Sequence, residues 1–253
     1  MVTDLQKASL WKRLSAGLFD LILIAMVAVG MGLLLSWAFG YNSYNQAYSD
    51  ICGDYEAQYG VQFQMTQEAF EGLSAEERAA YDAAYAALVS DEQVLYLYNM
   101  VLNLTLLITT FGILAAVLLL EFFVPLLLKN GQTLGKKIFG VALMRSDEVK
   151  VSPVQMFIRA VLGKFTIEIM IPVYVLMMVF SNSIGIVAVV ILGAILLGEI
   201  LSVTFSKTNG LLHDVIAATV AVDMASQRIF ETPEERVEYI KRLHAEKASR
   251  QEY

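Results

Sequence analysis

Cysteine and histidine are scarce in this chain of 253 residues, which contains one cysteine, Cys52, and two histidines. A single cysteine excludes a disulfide within the chain and provides no thiolate cluster for a metal ion. The two histidines lie far apart in sequence, and no nucleophile and base occur at a catalytic spacing. Basic residues with interleaved aromatic residues, which are typical of nucleic-acid binding, are also lacking. We therefore predict no enzyme activity, no metal site, no cofactor and no nucleic-acid partner.

Charged residues are scarce as well, at 17% of the chain, whereas 57% of the residues are hydrophobic. The apolar residues form long runs instead of an amphipathic pattern, and such runs are long enough to cross a bilayer core of about 30 Å. The first run, residues 21–39, is too long for the apolar part of a signal peptide, so we expect it to be retained. The sequence predicts an all-α polytopic membrane protein with four transmembrane helices, at about residues 14–39, 96–128, 156–180 and 184–206.

Positive charge is almost absent from one segment. Of the eighteen lysines and arginines, only Arg78 lies in residues 40–93, a segment that carries ten acidic residues. Basic loops face the cytoplasm, so both termini are predicted to be cytoplasmic and residues 40–93 to lie outside the cell membrane. Four crossings agree with this orientation, and they place a short uncharged turn at Ser181–Ser183 on the outside.

Two polar segments are predicted to contain helices. Residues 40–93 form an acidic extracytoplasmic insertion, in which Ser74 fits the N-cap of a capping box and predicts an Ala-rich helix through Val89. Residues 226–253 form a charged cytoplasmic tail, and the Thr-Pro-Glu-Glu sequence from Thr232 predicts the start of its helix.

Two short runs with high β-propensity lie on the same predicted side of the membrane, at residues 139–144 and 219–222. We expect them to pair as a small cytoplasmic β-hairpin-like element. This pairing would tie the segment after the second membrane helix to the segment after the fourth. It would also bring Asp214 near Arg13 or Lys136.

A Gly-Gln-Thr-Leu-Gly-Lys connector follows the second predicted membrane helix. It is not a phosphate-binding loop, since only three residues separate Gly131 from Gly135 and Lys137 stands where serine or threonine is needed. The glycines permit backbone conformations closed to other residues, which suits an abrupt turn. Lys136 and Lys137 are expected to meet anionic lipid headgroups.

Together with an Arg and an Asp in the first helix and a His-Asp pair after the last, this connector resembles the RDD family of membrane proteins. The resemblance covers most of residues 10–223, although residues 40–93 are long for the family and the tail beyond Ala225 has no recognisable motif. It implies a helical membrane domain, and some family members are described as sodium–proton antiporters. A transported Na⁺ or other monovalent cation and H⁺ are the partners it suggests, beside the lipid bilayer. The matching residues are Arg13, Asp20, Gly131, Gln132, Thr133, Gly135, Lys136, His213 and Asp214.

Each predicted membrane helix also carries one carboxylate, and counting from the cytoplasmic flanks puts all four roughly 10–13 Å into the membrane. One interpretation is a proton or cation site, because ionisable groups inside a bilayer are costly and neighbouring acids share protons. The other is a polar network with Arg13, Arg159 and Lys164 that fixes helix packing. Lys164 lies four residues before Glu168, which predicts that these two neutralise each other. The four carboxylates are Asp20, Glu121, Glu168 and Glu199.

A third interpretation is a non-transporting scaffold, sensor or assembly component that binds a protein through residues 40–93 or the tail. Four helices are few for an alternating-access carrier, and no internal repeat is evident. A homo-oligomer would answer this objection, and Ala194 with Gly198 provides a face of small residues for helix contact. The sequence leaves these alternatives open.

Overall fold

Long apolar helices dominate the fold. The computed structural model describes residues 5–128, 130–180, 185–206 and 208–251. Within this part of the chain, four helical stretches are long and apolar enough to cross a membrane, which confirms the predicted number. The first three begin a few residues earlier than predicted. The four spans are Leu10–Ala38, Glu92–Leu127, Pro153–Val179 and Ile186–Phe205.

The elements follow one another along the chain with few long connections. Two stretches wind as π-helices, π1 (Leu118–Phe123) between α5 and α6 and π2 (Ile158–Met170) between α8 and α9. The strands are β1 (Val141–Arg145) and β2 (Thr219–Asp223). The α-helices are α1 (Leu10–Ala38), α2 (Tyr41–Tyr59), α3 (Gln67–Glu71), α4 (Ala75–Ser90), α5 (Glu92–Val117), α6 (Val124–Leu127), α7 (Leu134–Ile138), α8 (Pro153–Phe157), α9 (Ile171–Phe180), α10 (Ile186–Phe205), α11 (Leu212–Ile216) and α12 (Pro233–Gln251).

The four spans present large apolar side chains on their outer surface. Trp37 is 83% exposed and Ile186 is 80% exposed. A soluble protein rarely leaves such extended apolar surfaces uncovered, whereas lipid tails cover them in a bilayer. The predicted class, a mostly helical multi-pass membrane protein, is therefore confirmed.

The chain divides into two compact units, which we describe separately. The first, called the motif unit, comprises Met1–Ala28 and Ile113–Tyr253. The second, called the acidic unit, comprises Val29–Gly112.

A two-stranded antiparallel sheet organises the motif unit. Strand β1 pairs with β2 so that Leu143 lies opposite Ala221, which confirms the predicted pairing of these two runs. Leu143 and Ala221 belong to a buried apolar cluster with Met156 of α8. The backbone N–H of Ala8 donates to the carbonyl of Ala221, 3.2 Å away, so the segment before α1 also joins the sheet.

Helix π2 has a wider turn than an α-helix, because its backbone hydrogen bonds join residues five apart. The N–H of Ile171, for example, donates to the carbonyl of Thr166. Ser152 begins the preceding α8 with a capping box to Gln155, and Pro153 occupies the first turn. The widened turn changes which side chains of π2 share a face, and these side chains include the buried Arg159 and Lys164.

In the acidic unit, helix α4 follows the predicted N-cap, with Ser74 and Glu77 forming the capping box. Helix α2 was not predicted, because its sequence is polar and it has no buried residue to reveal a period. Gly40 and Gly60 flank α2 in the left-handed conformation, with φ of 65° and 67°.

The charged tail forms α12, which directly follows Thr232, and the hydroxyl of Thr232 accepts a hydrogen bond from the N–H of Glu235 at 3.2 Å. The Arg236 side chain pairs with Glu148 at 3.1 Å. The turn predicted at Ser181–Ser183 lies outside the described residues.

Candidate functional site

The carboxylate of Asp20 in α1 is held by the Gly-Gln-Thr-Leu-Gly-Lys connector. The hydroxyl of Thr133 donates to one carboxylate oxygen, and the N–H of Gly135 donates to the other at 2.8 Å. The Nζ of Lys136 lies 3.8 Å from the Asp20 Oδ2 atom. Asp20 itself is only 3% exposed. A buried carboxylate is stable only when such donors and a countercharge replace its water, so the connector supplies what Asp20 needs.

The two glycines of the connector are required for different reasons. Gly131 has a φ of +60°, a conformation that side chains disfavour, as expected from the sequence. Gly135 is helical, so the prediction that it needs an unusual backbone conformation is wrong. A Cβ on Gly135 would collide with the carbonyl of Ala16 and approach the Asp20 carboxylate carbon to 2.9 Å. Its role is to let α7 touch α1.

Lys136 is buried beside Asp20, so it does not meet lipid headgroups as predicted, whereas its neighbour Lys137 is exposed. Burial, and then the nearby positive charge of Arg159, lower the pKa of Lys136 to about 8. Lys136 is therefore a buried neighbour of the Asp20 carboxylate within the motif unit.

A second cluster surrounds Asp214 in α11. The Nε of Arg159 lies 3.0 Å from its Oδ1, and the Nη2 of Arg13 lies 3.6 Å from its Oδ2. Asp214 therefore lies beside Arg13, as the predicted strand pairing required. Burial raises the pKa of Asp214, but its contacts with His213 and with the Arg159 guanidinium outweigh burial and hold this pKa well below its ordinary range.

Arg159 also joins this cluster to Glu121. Its Nη1 lies 3.4 Å from the Glu121 Oε2 atom, and Lys164 pairs with the other oxygen of Glu121. The prediction that Lys164 neutralises Glu168 is wrong, because the wider turn of π2 separates side chains that an α-helix would align four residues apart. Glu121 is thus fully buried but paired twice.

His213 connects the paired groups to Glu168. A guanidinium can only donate hydrogen bonds, so the Nε2 of His213, which lies 2.6 Å from the Nη2 of Arg159, must accept. This assigns the ring proton to Nδ1, which donates to the Glu168 carboxylate at 2.6 Å. The backbone N–H of His213 donates to the same oxygen at 3.1 Å.

The carboxyl group of Glu199 lies close enough to the Glu168 carboxyl group for their charges to interact. One of its oxygens, Oε2, accepts from the N–H of Leu212 at 3.1 Å. The other, Oε1, is buried and meets no hydrogen-bond donor among the described residues. Two acids therefore face each other with no donor from the described chain to satisfy the second oxygen.

A cavity of about 390 Å³ adjoins these groups. Its wall from α1 includes Leu14, Leu18 and Leu21 together with Arg13. Lys164, Glu168 and His213 also line it. The four predicted carboxylates consequently divide into two sets. Asp20 and Glu121 are each paired with positive groups. Glu168 and Glu199 lie near each other, and Glu168 lines the cavity.

Comparison with protein-family models decides the family. The model described as the RDD family matches residues 7–218. The chain belongs to the RDD family. A search of curated proteins gave no match, and a search of solved structures gave none either. In this RDD-family chain, every motif residue recognised from the sequence lies in the motif unit.

Two further residues of the RDD-family site were missed from the sequence. The carbonyl of Asn209 accepts from the Arg13 guanidinium at 2.6 Å, and Asn209 adopts a positive φ of 52°. The Asn-Gly dipeptide that marks this turn was a usable signal. Gly163 of π2 lets α11 approach so closely that a Cβ there would lie 2.5 Å from the His213 Cβ, and no local pattern announced this contact.

Replacing Gly135 with alanine tests the contact between α7 and α1. We expect Gly135→Ala to destabilise the protein by about 1–3 kcal/mol, since the added methyl group overlaps the Ala16 carbonyl and crowds Asp20. Gly193→Ala in α10 is the matched control, because a Cβ there meets nothing within 4 Å. Thermal unfolding in detergent measures both variants, and equal midpoints would contradict this packing.

The pH dependence of stability tests the burial of Lys136. Because its pKa falls to about 8 on folding from 10.5, the unfolded chain binds more protons between these pH values. The free energy of unfolding should therefore rise with pH from about 8 to about 10.5, on the order of 3 kcal/mol relative to Lys136→Gln. Exposed Lys137 provides the control, since Lys137→Gln should follow the wild-type profile. A difference between wild type and Lys136→Gln that stays flat or falls would show that Lys136 is solvated.

Proposed function

We propose that this RDD-family protein exchanges protons for a monovalent cation such as Na⁺ across the cell membrane, with Glu168 and Glu199 as the exchanging groups. The supporting observation is the Oε1 atom of Glu199, which is buried and without a donor from the described residues, near a second acid, Glu168. No catalytic activity or cofactor is part of the proposal.

The other buried acids are poor candidates for exchange. Asp20 has two hydrogen-bond donors and a lysine, and Glu121 has an arginine and a lysine. Asp214 has two arginines. A proton or a cation would have to displace these positive partners, and breaking a buried ion pair costs several kcal/mol. These three acids instead stabilise the packing of the motif unit, as the network interpretation predicted.

Glu168 and Glu199 fit exchange chemistry for an electrostatic reason. Two carboxylates in a medium of low dielectric repel each other, so one of them carries a proton unless a cation lies between them. A proton and a cation then compete for the same place, which is the requirement for antiport. His213 keeps Glu168 oriented, since its ring donates to Glu168 while its other nitrogen is occupied by Arg159. The cavity lined by Glu168 would give small ions access to this acid.

Proton flux in proteoliposomes tests the proposal. Pulses of Na⁺, K⁺ and Li⁺ should change the internal pH when the wild-type protein is present, and Glu199→Gln should reduce the response to that of empty vesicles. The Gln side chain keeps an acceptor for the Leu212 N–H, so the variant should remain folded. Glu92→Gln, an exposed change at the start of α5, is the control that should retain flux. Folded wild-type protein without cation-dependent flux, or full flux in Glu199→Gln, would refute the exchange.

The orientation is part of the proposal and rests on the distribution of positive charge. We infer that both termini face the cytoplasm and that residues 40–93 lie outside, since seventeen of the eighteen basic residues lie elsewhere in the chain.

The single cysteine permits a direct test of this orientation. Cys52 lies in α2 and is partly accessible, so a membrane-impermeant maleimide should label it in intact cells. Ser249→Cys in a Cys52→Ser background places the only thiol in α12, where labelling should require permeabilised cells. The reverse pattern would invert the proposed topology.

A non-transporting scaffold or sensor is the alternative function. The charged, largely exposed helix α12 favours it, because such a surface suits a protein partner. A homo-oligomer stays a proposal. The face of small residues predicted at Ala194 and Gly198 gives it little support. A Cβ on Gly198 would lie 3.5 Å from the side chain of Leu212, so this glycine already packs within the same chain. Absence of flux in the experiment above would favour the scaffold.

A further inference from the structure

The acidic unit contains a cavity of about 790 Å³ between α2, the loop that follows α2, and α4. We propose that this cavity binds an organic cation with a quaternary ammonium group. Its lining includes Tyr48, Glu56, Phe63, Tyr81 and Tyr85. Ligand pockets in proteins typically measure about 300–1,000 Å³, so the volume suits a small molecule.

The wall of the cavity is built by a turn that brings Phe63 back onto α2. Gly60 ends α2 in the left-handed conformation, and its N–H donates to the carbonyl of Glu56. The Glu56 carboxylate then accepts the N–H of Phe63 at 2.6 Å. The same carboxylate that fixes the turn therefore lies at the cavity beside an aromatic ring.

Three aromatic rings form a corner in this cavity. The rings of Tyr81 and Tyr85 are nearly parallel, at 5° and with centroids 6.4 Å apart. The ring of Phe63 stands at 71° to Tyr81, with centroids 5.8 Å apart. The three residues line one cavity, and several aromatic side chains at one site are what proteins use to bind methylated ammonium groups.

The charge around the cavity also selects a cation. Among the described residues, no lysine or arginine lines the cavity, and Glu56 is its carboxylate. Burial, together with Cys52, raises the pKa of Tyr48 to about 12, so its phenol stays neutral near pH 7. Residues 40–93 carry ten acidic residues against one basic residue, Arg78, so the whole region attracts positive ligands.

A contact next to the cavity shows that this aromatic cluster accepts a cation. The guanidinium of Arg78 lies 5.0 Å from the centroid of the Phe70 ring, and Phe70 packs against Tyr81 with centroids 5.2 Å apart. Arg78 does not line the cavity, so its guanidinium does not occupy the proposed ligand site.

Calorimetric titration of the purified full chain with choline tests the proposal without any variant. The neutral isostere 3,3-dimethyl-1-butanol has the same shape and lacks the charge. We expect choline to bind at least about tenfold more tightly than the alcohol, which is the size of effect expected for a desolvated cation–π site. Equal affinities would identify a merely apolar cleft, and failure of choline to bind would overturn the proposal. Binding of spermidine but not of choline would overturn it too, since it would indicate attraction by carboxylates alone.

Two variants locate the binding in this cavity. Tyr81→Leu and Glu56→Gln should each weaken choline binding about tenfold, and the Gln side chain still accepts the Phe63 N–H. Tyr59→Leu and Glu68→Gln are the matched controls, because neither residue lines the cavity. Choline should also slow maleimide labelling of Cys52, which does line it. Unchanged affinity in both test variants would refute the site, while cation-driven proton flux through Glu199 is a separate property that this result leaves intact.

Discussion

The hydrogen bonds between Asp20 and the connector are the contacts on which the motif unit depends. Thr133, which caps α7, and Gly135 of α7 donate to this carboxylate, so the connector is fixed against α1 where the second membrane span ends. Strand β1 follows α7 directly, and its pairing with β2 positions the preceding helix α11. The position of His213 and Asp214 thus follows from a contact made far away in sequence. Removing the Asp20 carboxylate would leave buried donors without partners.

The remaining buried charges form one connected chain of contacts. Arg159 touches Asp214, Glu121 and His213, and His213 in turn holds Glu168. Ion pairs buried in this way contribute little net stability, but losing one member of a pair is costly, so each pairing specifies a unique arrangement. An acid held in such an ion pair is poorly placed to exchange a proton or a cation, because its positive partner would have to be displaced. Glu199 differs, because its Oε1 atom is buried and has no donor among the described residues.

Several features were predictable from the sequence because they depend on composition or on local spacing. Long apolar runs revealed the four spans, and short runs with high β-propensity revealed the strand pair. The arrangement of partners was less accessible. The prediction that Lys164 pairs with Glu168 assumed α-helical spacing. In π2, Lys164 instead pairs with Glu121. The burial of Lys136 and the close approach at Gly135 arise from tertiary contacts with α1, which no local pattern in the connector reports.

Infrared spectroscopy of the carboxyl groups tests the division of the buried acids most directly. We expect a signal from a protonated carboxyl group at neutral pH in the wild-type protein, because the proposed exchange requires Glu168 and Glu199 to share a proton. The signal should disappear in Glu199→Gln and persist in Asp20→Asn, because Asp20 has donors from Thr133 and Gly135 and lies beside Lys136. A wild-type spectrum without any protonated carboxyl group, or a signal that disappears only in Asp20→Asn, would contradict this division.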